Sequence, residues 1–206
     1  MKEEFLLSLQ NSSVSAESAE SVFRRLRDMY SEPERRYHTL RHIRDIQSGI
    51  IEYRNLFSHY DAYIFACWYH DAVYDSKSKT NEEDSAELAV RELSGLGIPE
   101  KTVLLCRDAV LSTKRHIPVP ETEEMKLFLD LDLKILGAND ERYEEYKKEV
   151  RSEYSWVPEE TYRKERANVM KYFLKRDRIY FTEMMHQKFD AQARKNLKQE
   201  IEELEK

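Results

Sequence analysis

The chain has 206 residues, 36% of them charged, with a formal net charge of −6 at pH 7. Only four residues are glycine, which argues against a fold of many tight hairpins, because hairpin turns depend on that residue. The acidic balance argues against nucleic acid as a general partner, since proteins that bind it present a basic field. We predict one all-α domain over residues 1–206, built from about eight or nine helices.

Two observations bear on the compartment. Cys67 and Cys106 are too few for a disulfide framework, and both lie in apolar helical contexts, so we expect buried thiols in a reducing environment. The chain has no apolar stretch of about 18 residues and no N-terminal signal-peptide pattern. We therefore expect a soluble cytoplasmic protein with no membrane partner.

Apolar residues at helical spacing predict a succession of helices. The predicted helices cover residues 15–30, 34–56, 61–74, 80–95, 99–114 and 125–137, then a segment around 143–154, 158–175 and a final amphipathic segment around 185–204. The run over 61–74 is apolar nearly all round, as expected of a central helix. Thr80 and Glu83 have the spacing of a capping box, and the two prolines of 117–122 predict a loop.

Histidine and aspartate residues cluster in three apolar segments. His38 and His42 are four residues apart, which would place both on one face of a helix. His70 and Asp71 are adjacent inside an apolar run, where such a pair is costly to bury unless a polar or charged group satisfies it. A divalent cation would do so.

The third of these segments, LFLDLDLKILG, contains Asp130 and Asp132. Unpaired carboxylates are unfavourable in such surroundings. Carboxylates and imidazoles in separate apolar helices have one shared explanation, which is convergence on a metal ion. We therefore predict a metal site between the central helices.

The order H…HD…D resembles the HD-domain superfamily of metal-dependent phosphohydrolases. The segments YHTLRHI, WYHDAVYD, NEEDSA, FLDLDLKILG and RDRIYFTEMMHQKFDAQARKNL are similar to small predicted phosphohydrolases of that superfamily, and the resemblance covers residues 37–197. It implies an all-α fold with the metal between central helices and activity on phosphate esters or anhydrides. YHTLRHIRDI is also similar to the YHNxxHAxDV stretch of cyclic-nucleotide phosphodiesterases, with Thr39 where those enzymes carry Asn.

The resemblance implies roles for individual residues. It makes His42, His70 and Asp71 metal ligands and makes His38 the general acid that protonates the leaving oxygen. The fourth ligand is an aspartate from a late helix. Asp132 is favoured because Asp132-Leu133 resembles the Asp-Leu of the corresponding phosphodiesterase helix, with Asp130 as the alternative. Asp71 is also a candidate catalytic base.

Four further residues are candidate substrate contacts: Arg41, Glu83, Lys114 and His116. Arg41 lies beside the ligand His42 and could hold a phosphate oxygen. The alternative for Lys114 and His116 is a solvated helix C-terminus that complements the helix dipole, and the alternative for Glu83 is the capping box.

The sequence thus predicts a phosphohydrolase that uses Mn, Fe, Co, Zn or Mg as a divalent ion and acts on a small phosphorylated substrate, with nucleotides among the candidates. One alternative is a non-catalytic, metal-stabilised helical module that binds a nucleotide or a partner. Another is an all-α structural protein with buried ion pairs and no metal. The amphipathic last helix offers a surface for a homodimer.

Overall fold

The computed structural model describes residues 1–206 and contains ten α-helices and no β-strand. The helices are α1 (Lys2–Asn11), α2 (Ala16–Met29), α3 (Leu40–Glu52), α4 (Tyr60–Tyr69), α5 (Asn81–Gly95), α6 (Glu100–Thr113), α7 (Glu123–Asp132), α8 (Asp140–Glu153), α9 (Glu159–Leu174) and α10 (Glu183–Leu204). Short 3-10 helices cover Arg54–Leu56 and Leu133–Gly137. The all-α prediction is confirmed, with ten helices where eight or nine were expected.

The chain divides into two compact units, residues 1–131 and 132–206. Helices α1 to α7 form the first unit, except that the last residue of α7, Asp132, lies just past the boundary. Helices α8 to α10 and the 3-10 helix before them form the second. The assignment of residues 1–206 to a single domain stays a prediction.

Helix α4 is the centre of the first unit. Every residue from 62 to 69 is buried, as the apolar sequence of this segment predicts. Trp68 packs against Phe5 and Phe23, with ring centroids 5.2 and 5.3 Å apart, and its indole N–H donates to the side-chain oxygen of Gln47 at 3.0 Å. Aromatic side chains carry much of the stabilisation of such a core because each buries a large apolar area. The end of α4 is therefore held firmly in the interior.

Three helix boundaries differ from the sequence predictions. Helix α3 begins at Leu40 rather than near residue 34, because the side chain of Thr39 accepts from the Arg41 backbone N–H at 3.3 Å and caps the helix there. Helix α4 ends at Tyr69 rather than Tyr74. Beyond it, the Ser85 hydroxyl oxygen accepts from Val73 N–H at 3.0 Å. The backbone after α4 is thus bonded to α5 instead of continuing the helix.

The third boundary concerns the segment predicted as one helix over 125–137. In the structure α7 ends at Asp132 and the chain continues as the 3-10 helix Leu133–Gly137. The capping box predicted for Thr80 and Glu83 is wrong. The Thr80 hydroxyl donates to the Asp84 carboxylate at 2.9 Å and does not cap α5.

The second unit has a charged pair in its interior. Glu200 on α10 is 3% exposed and accepts from the Arg166 Nε at 2.7 Å and from the Tyr143 hydroxyl at 2.5 Å. Arg166 also faces the ring of Tyr146 at 5.0 Å from its centroid. A buried ion pair is tolerated only when further partners satisfy it, and here a hydroxyl and an aromatic ring supply them.

Two other expectations can be compared with the structure. Cys67 and Cys106 are both buried and neither forms a disulfide, as predicted. None of the ten helices combines the length and the apolar character needed to cross a bilayer.

Candidate metal centre

Three predicted ligands from three separate segments of the chain meet in the interior. Donor atoms of His42, His70 and Asp132 all lie within 4.8 Å of one another. His42 is in the first turn of α3, His70 directly follows α4, and Asp132 is the last residue of α7. Both histidines are buried, at 5% and 1% exposure, whereas Asp132 is half-buried. The grouping combines two imidazoles and one carboxylate, a donor set suited to a divalent transition metal or Mg²⁺.

The orientation of His70 fits metal binding. Its Nδ1 lies 2.9 Å from the backbone carbonyl of Cys67, and because a carbonyl can only accept, this contact assigns the ring proton to Nδ1. Nε2 faces away from that carbonyl and is the ring atom left for a metal ion. Ligating histidines commonly donate their second ring N–H to such an acceptor, which fixes both the tautomer and the ring.

The distance between the two imidazoles also fits binding to one metal ion. His70 Nε2 lies 3.1 Å from His42 Nε2. Two nitrogens bound at 2.0–2.1 Å with an octahedral or tetrahedral angle between them would lie about 2.9–3.4 Å apart. The residues present therefore match a metal ion in ligand type, in tautomer and in spacing.

Asp71 lies against the same two rings. Its Oδ2 is 3.0 Å from His70 Nε2 and 3.8 Å from His42 Nε2, and its side chain is 17% exposed. Burial acts to raise the pKa of Asp71, but the imidazoles of His70 and His38 outweigh it and hold that pKa well below its usual range. Asp71 is therefore an anionic donor next to the three-residue group.

His38 occupies a different position from the one predicted. It lies in the turn before α3, so the expectation that it shares a helical face with His42 is wrong, although the two ring centroids are 5.9 Å apart. Its Nε2 is 3.9 Å from Asp71 Oδ2 and its side chain is 20% exposed. The ring stands between Tyr37 and Tyr74, with centroid distances of 4.9 and 4.4 Å. His38 is thus beside the site and outside the donor group.

The His70-Asp71 pair was expected in the middle of a helix, and this too is wrong. His70 caps the C-terminal end of α4, and Asp71 lies in the turn beyond it. The turn allows the Asp71 carboxylate to approach the His70 ring, which two consecutive residues inside a regular helix would direct some 100° apart.

Asp130 and Asp132 occupy different positions on α7. Residues two positions apart on a helix are separated by about 200° around its axis, so Asp130 and Asp132 cannot face the same point. Asp132 belongs to the three-residue group, and Asp130 does not, although it is fully buried on the same helix.

The four candidate substrate contacts lie outside the donor group. Arg41 is exposed in the first turn of α3. Lys114 donates to both carboxylate oxygens of Glu83, at 2.5 and 2.6 Å, and to the Lys79 carbonyl at 2.8 Å. The hydrogen bond lowers the pKa of Glu83 and raises that of Lys114. His116 adopts a positive φ of 48° in the turn after α6. The structure therefore joins Glu83 to Lys114 but places neither among the donor atoms.

One residue beside the site was missed by the sequence reasoning. Arg35 is only 3% exposed and donates to the backbone carbonyls of His38, Asp71 and Ala72. In the sequence it is one of two consecutive arginines, and nothing in the local pattern distinguishes the buried one from the exposed Arg36.

Comparisons of the chain with protein-family models, with curated proteins and with solved structures give no match. Any function of the protein therefore has to be inferred from the residues described above. They provide a possible His/Asp metal site in an all-helical protein.

Proposed function

We propose that the protein is a metal-dependent phosphohydrolase of the HD type. The observation that carries the proposal is the convergence of His42, His70 and Asp132 within 4.8 Å, with the Asp71 carboxylate against both rings. These four residues would hold one divalent cation, drawn from Mn²⁺, Fe²⁺, Co²⁺, Zn²⁺ or Mg²⁺, whose identity a mixed nitrogen and oxygen donor set does not select.

The residues around the donors supply the remaining chemistry. When bound, such a cation acts as a Lewis acid and lowers the pKa of a coordinated water from about 15.7 toward 7. Asp71 accepts the proton of the attacking water, with Asp132 as the alternative acceptor. His38 donates a proton to the leaving oxygen. An imidazole suits this role because its ordinary pKa near 6.5 leaves both protonation states populated near neutral pH.

The position of His38 favours a catalytic role over a purely structural metal site. Its Nε2 lies 3.9 Å from Asp71 Oδ2, close to the donors, and its side chain is 20% exposed, so a substrate can reach it. A module that used the metal only for stability would need the ligands and no further titratable group. The aromatic rings of Tyr37 and Tyr74 hold this imidazole in place at the edge of the site.

The substrate we propose is a small phosphate ester or anhydride, a class that includes nucleotides. The chain is acidic overall, but a bound cation would reverse the sign of the local charge and attract a phosphate. Arg41, Lys114 and His116 are the proposed contacts to phosphate oxygens, and Glu83 would act by positioning Lys114. The buried thiols, which form no disulfide, accord with a reducing compartment, and we propose the cytoplasm.

The test is a panel of phosphorylated metabolites assayed with each of the five cations. We expect hydrolysis of at least one compound by the wild-type protein. Asp71→Ala should lose both the metal and hydrolysis, whereas His38→Gln should lower kcat by roughly 10²-fold or more and keep the metal.

His59→Gln is the matched control, because His59 is a half-buried imidazole that contacts Glu124 rather than the donor group. His59→Gln should change neither the bound metal nor the rate of hydrolysis. Metal binding without hydrolysis of any compound would favour the non-catalytic module, and full activity in Asp71→Ala would refute the site assignment.

A further inference from the structure

Arg35 joins two chain segments at the edge of the metal centre. Its Nη1 donates to the Asp71 carbonyl at 2.7 Å and to the His38 carbonyl at 3.2 Å, while Nη2 donates to the Ala72 carbonyl at 2.8 Å. The side chain is 1% exposed. One guanidinium therefore ties the turn that carries His38 to the turn that carries Asp71.

The faces and the remaining edge of the guanidinium are also occupied. Its Nε donates to Glu32 at 3.2 Å, and its carbon lies 4.9 and 5.3 Å from the ring centroids of Tyr30 and Tyr74. Tyr74 in turn packs against the His38 ring at 4.4 Å. Arg35 consequently fixes His38 in two ways, through the backbone carbonyl of His38 and through the aromatic ring that supports its imidazole.

We propose that Arg35 is a positioning residue that holds the His38 imidazole in register with the Asp71 carboxylate, an inference that rests on the proposed hydrolase function. Its hydrogen bonds to the two turns go to backbone carbonyls and not to the metal-binding atoms, so it acts through His38 and Asp71. The planar fork of a guanidinium can serve three carbonyls from two segments at once. A lysine ammonium on its flexible stem does not reproduce that geometry.

The substitution Arg35→Lys should lower turnover more than it affects metal binding. In Arg35→Lys the donors His42, His70 and Asp132 keep their positions on α3, directly after α4 and on α7. The protein should therefore still bind the cation, with an affinity lowered by the loosened Asp71 turn. The His38 turn loses its tie to residues 71 and 72, and a displacement of about 1 Å in a catalytic group costs up to about 10²-fold in rate. We expect kcat to fall at least about tenfold, with KM changed by less than about threefold.

A double-mutant cycle separates positioning from general weakening. If Arg35 acts through His38, then Arg35→Lys should lower kcat by less than about twofold in a protein that already carries His38→Gln. A role in overall stability would lower kcat by a similar factor in both backgrounds. Equal factors would therefore overturn the proposal.

A second readout needs neither metal nor activity. The His38 and Tyr74 ring centroids are 4.4 Å apart with 31° between the ring planes, so the His38 ring-proton NMR signals in the metal-free protein should be shifted by the ring current of Tyr74. Arg35→Lys should move these signals toward the values of a free imidazole. Arg36→Lys is the matched control, since Arg36 is exposed and its Nη1 donates to the Pro33 carbonyl at 2.5 Å. It should leave them unchanged.

The outcomes separate the two proposals. Unaltered His38 signals in Arg35→Lys would overturn the positioning role whether or not the protein hydrolyses phosphate. Displaced signals in a protein that hydrolyses nothing would support the positioning of His38 and count against the hydrolase. Arg35→Gln serves as a second variant, and failure of both variants to fold would assign Arg35 to stability alone and overturn the proposal.

Discussion

The substitution Gly49→Ala tests how helices α3 and α7 approach each other at the metal centre. A methyl group on Gly49 would lie 2.3 Å from the Leu131 Cδ2 and 3.2 Å from its Cγ, whereas carbon atoms in favourable contact are about 3.5–4.0 Å apart. Leu131 is 2% exposed and cannot swing into solvent. Either the leucine adopts a strained rotamer or one of the helices shifts.

The expected change in the free energy of unfolding follows from two opposing effects. Overpacking a core costs about 1–3 kcal/mol, and an overlap of more than about 1 Å belongs in the upper part of that range. Replacing glycine by alanine inside a helix returns about 1 kcal/mol of helix propensity. We therefore expect Gly49→Ala to lower the free energy of unfolding by about 1–2 kcal/mol.

The assay is urea unfolding with linear extrapolation, and Gly95→Ala is the matched control. Gly95 is the last residue of α5, is exposed, and has no atom within 4 Å of the position that an added methyl group would take. Its substitution should be neutral or stabilising by up to about 1 kcal/mol. In a Leu131→Ala background the clash is gone, and Gly49→Ala should become neutral or stabilising.

The contact between Gly49 and Leu131 should also affect cation binding. Gly49 follows His42 by two helical turns on α3, and Leu131 immediately precedes Asp132 on α7. A shift at this contact should therefore weaken cation binding in Gly49→Ala and leave it intact in Gly95→Ala. Equal stability of the two alanine variants, or a Gly49→Ala protein that gains stability, would refute the reasoning.

Two further predictions concern charged groups. Because the pKa of Asp71 is lowered in the folded state, its contribution to stability is present above the unfolded value near 4 and is lost as the pH falls below it. In urea unfolding of the metal-free protein, the stability difference between wild type and Asp71→Asn should shrink below about pH 4, and a difference independent of pH would contradict this. Glu200→Gln leaves the Arg166 cation buried without its counter-ion and should cost about 3–5 kcal/mol, measured in the same way. The exposed Glu203→Gln on the same helix should cost less than about 1 kcal/mol, and similar losses in both would refute the importance of the buried pair.

The sequence pattern was sufficient for nine of the ten helices, α2 to α10, and for most of the donor set, whereas α1 (Lys2–Asn11) was not predicted. Apolar spacing reports which face of a helix is buried, so the buried faces of α2 and α8 could be predicted, and the uniformly apolar run of α4 predicted burial on all sides. His42, His70 and Asp132 stand out because polar groups in apolar segments require a partner. The resemblance to HD domains predicted that these three residues share one metal site.

Helix ends and long-range contacts could not be predicted in the same way. The predicted helices included residues 34–39 and 70–74, although Thr39 caps the start of α3 and the backbone after α4 bonds to Arg35 and Ser85. Those bonds join residues 12 to 37 positions apart, so no local window contains them. Asp130 and Asp132 have equally apolar neighbours, and only the rotation of α7 in the folded chain distinguishes them.

The central claim is that this donor group binds a divalent cation, and the stoichiometry of bound metal tests it most directly. The wild-type protein, Asp132→Asn and Asp130→Asn would each be dialysed in separate samples against Mn²⁺, Fe²⁺, Co²⁺, Zn²⁺ and Mg²⁺, freed of excess ion and examined by elemental analysis. The structure predicts one cation per chain in the wild type and in Asp130→Asn, and loss of the cation in Asp132→Asn. A wild-type protein that retains none of the five candidate cations, or an Asp132→Asn protein that retains as much as the wild type, would contradict the account.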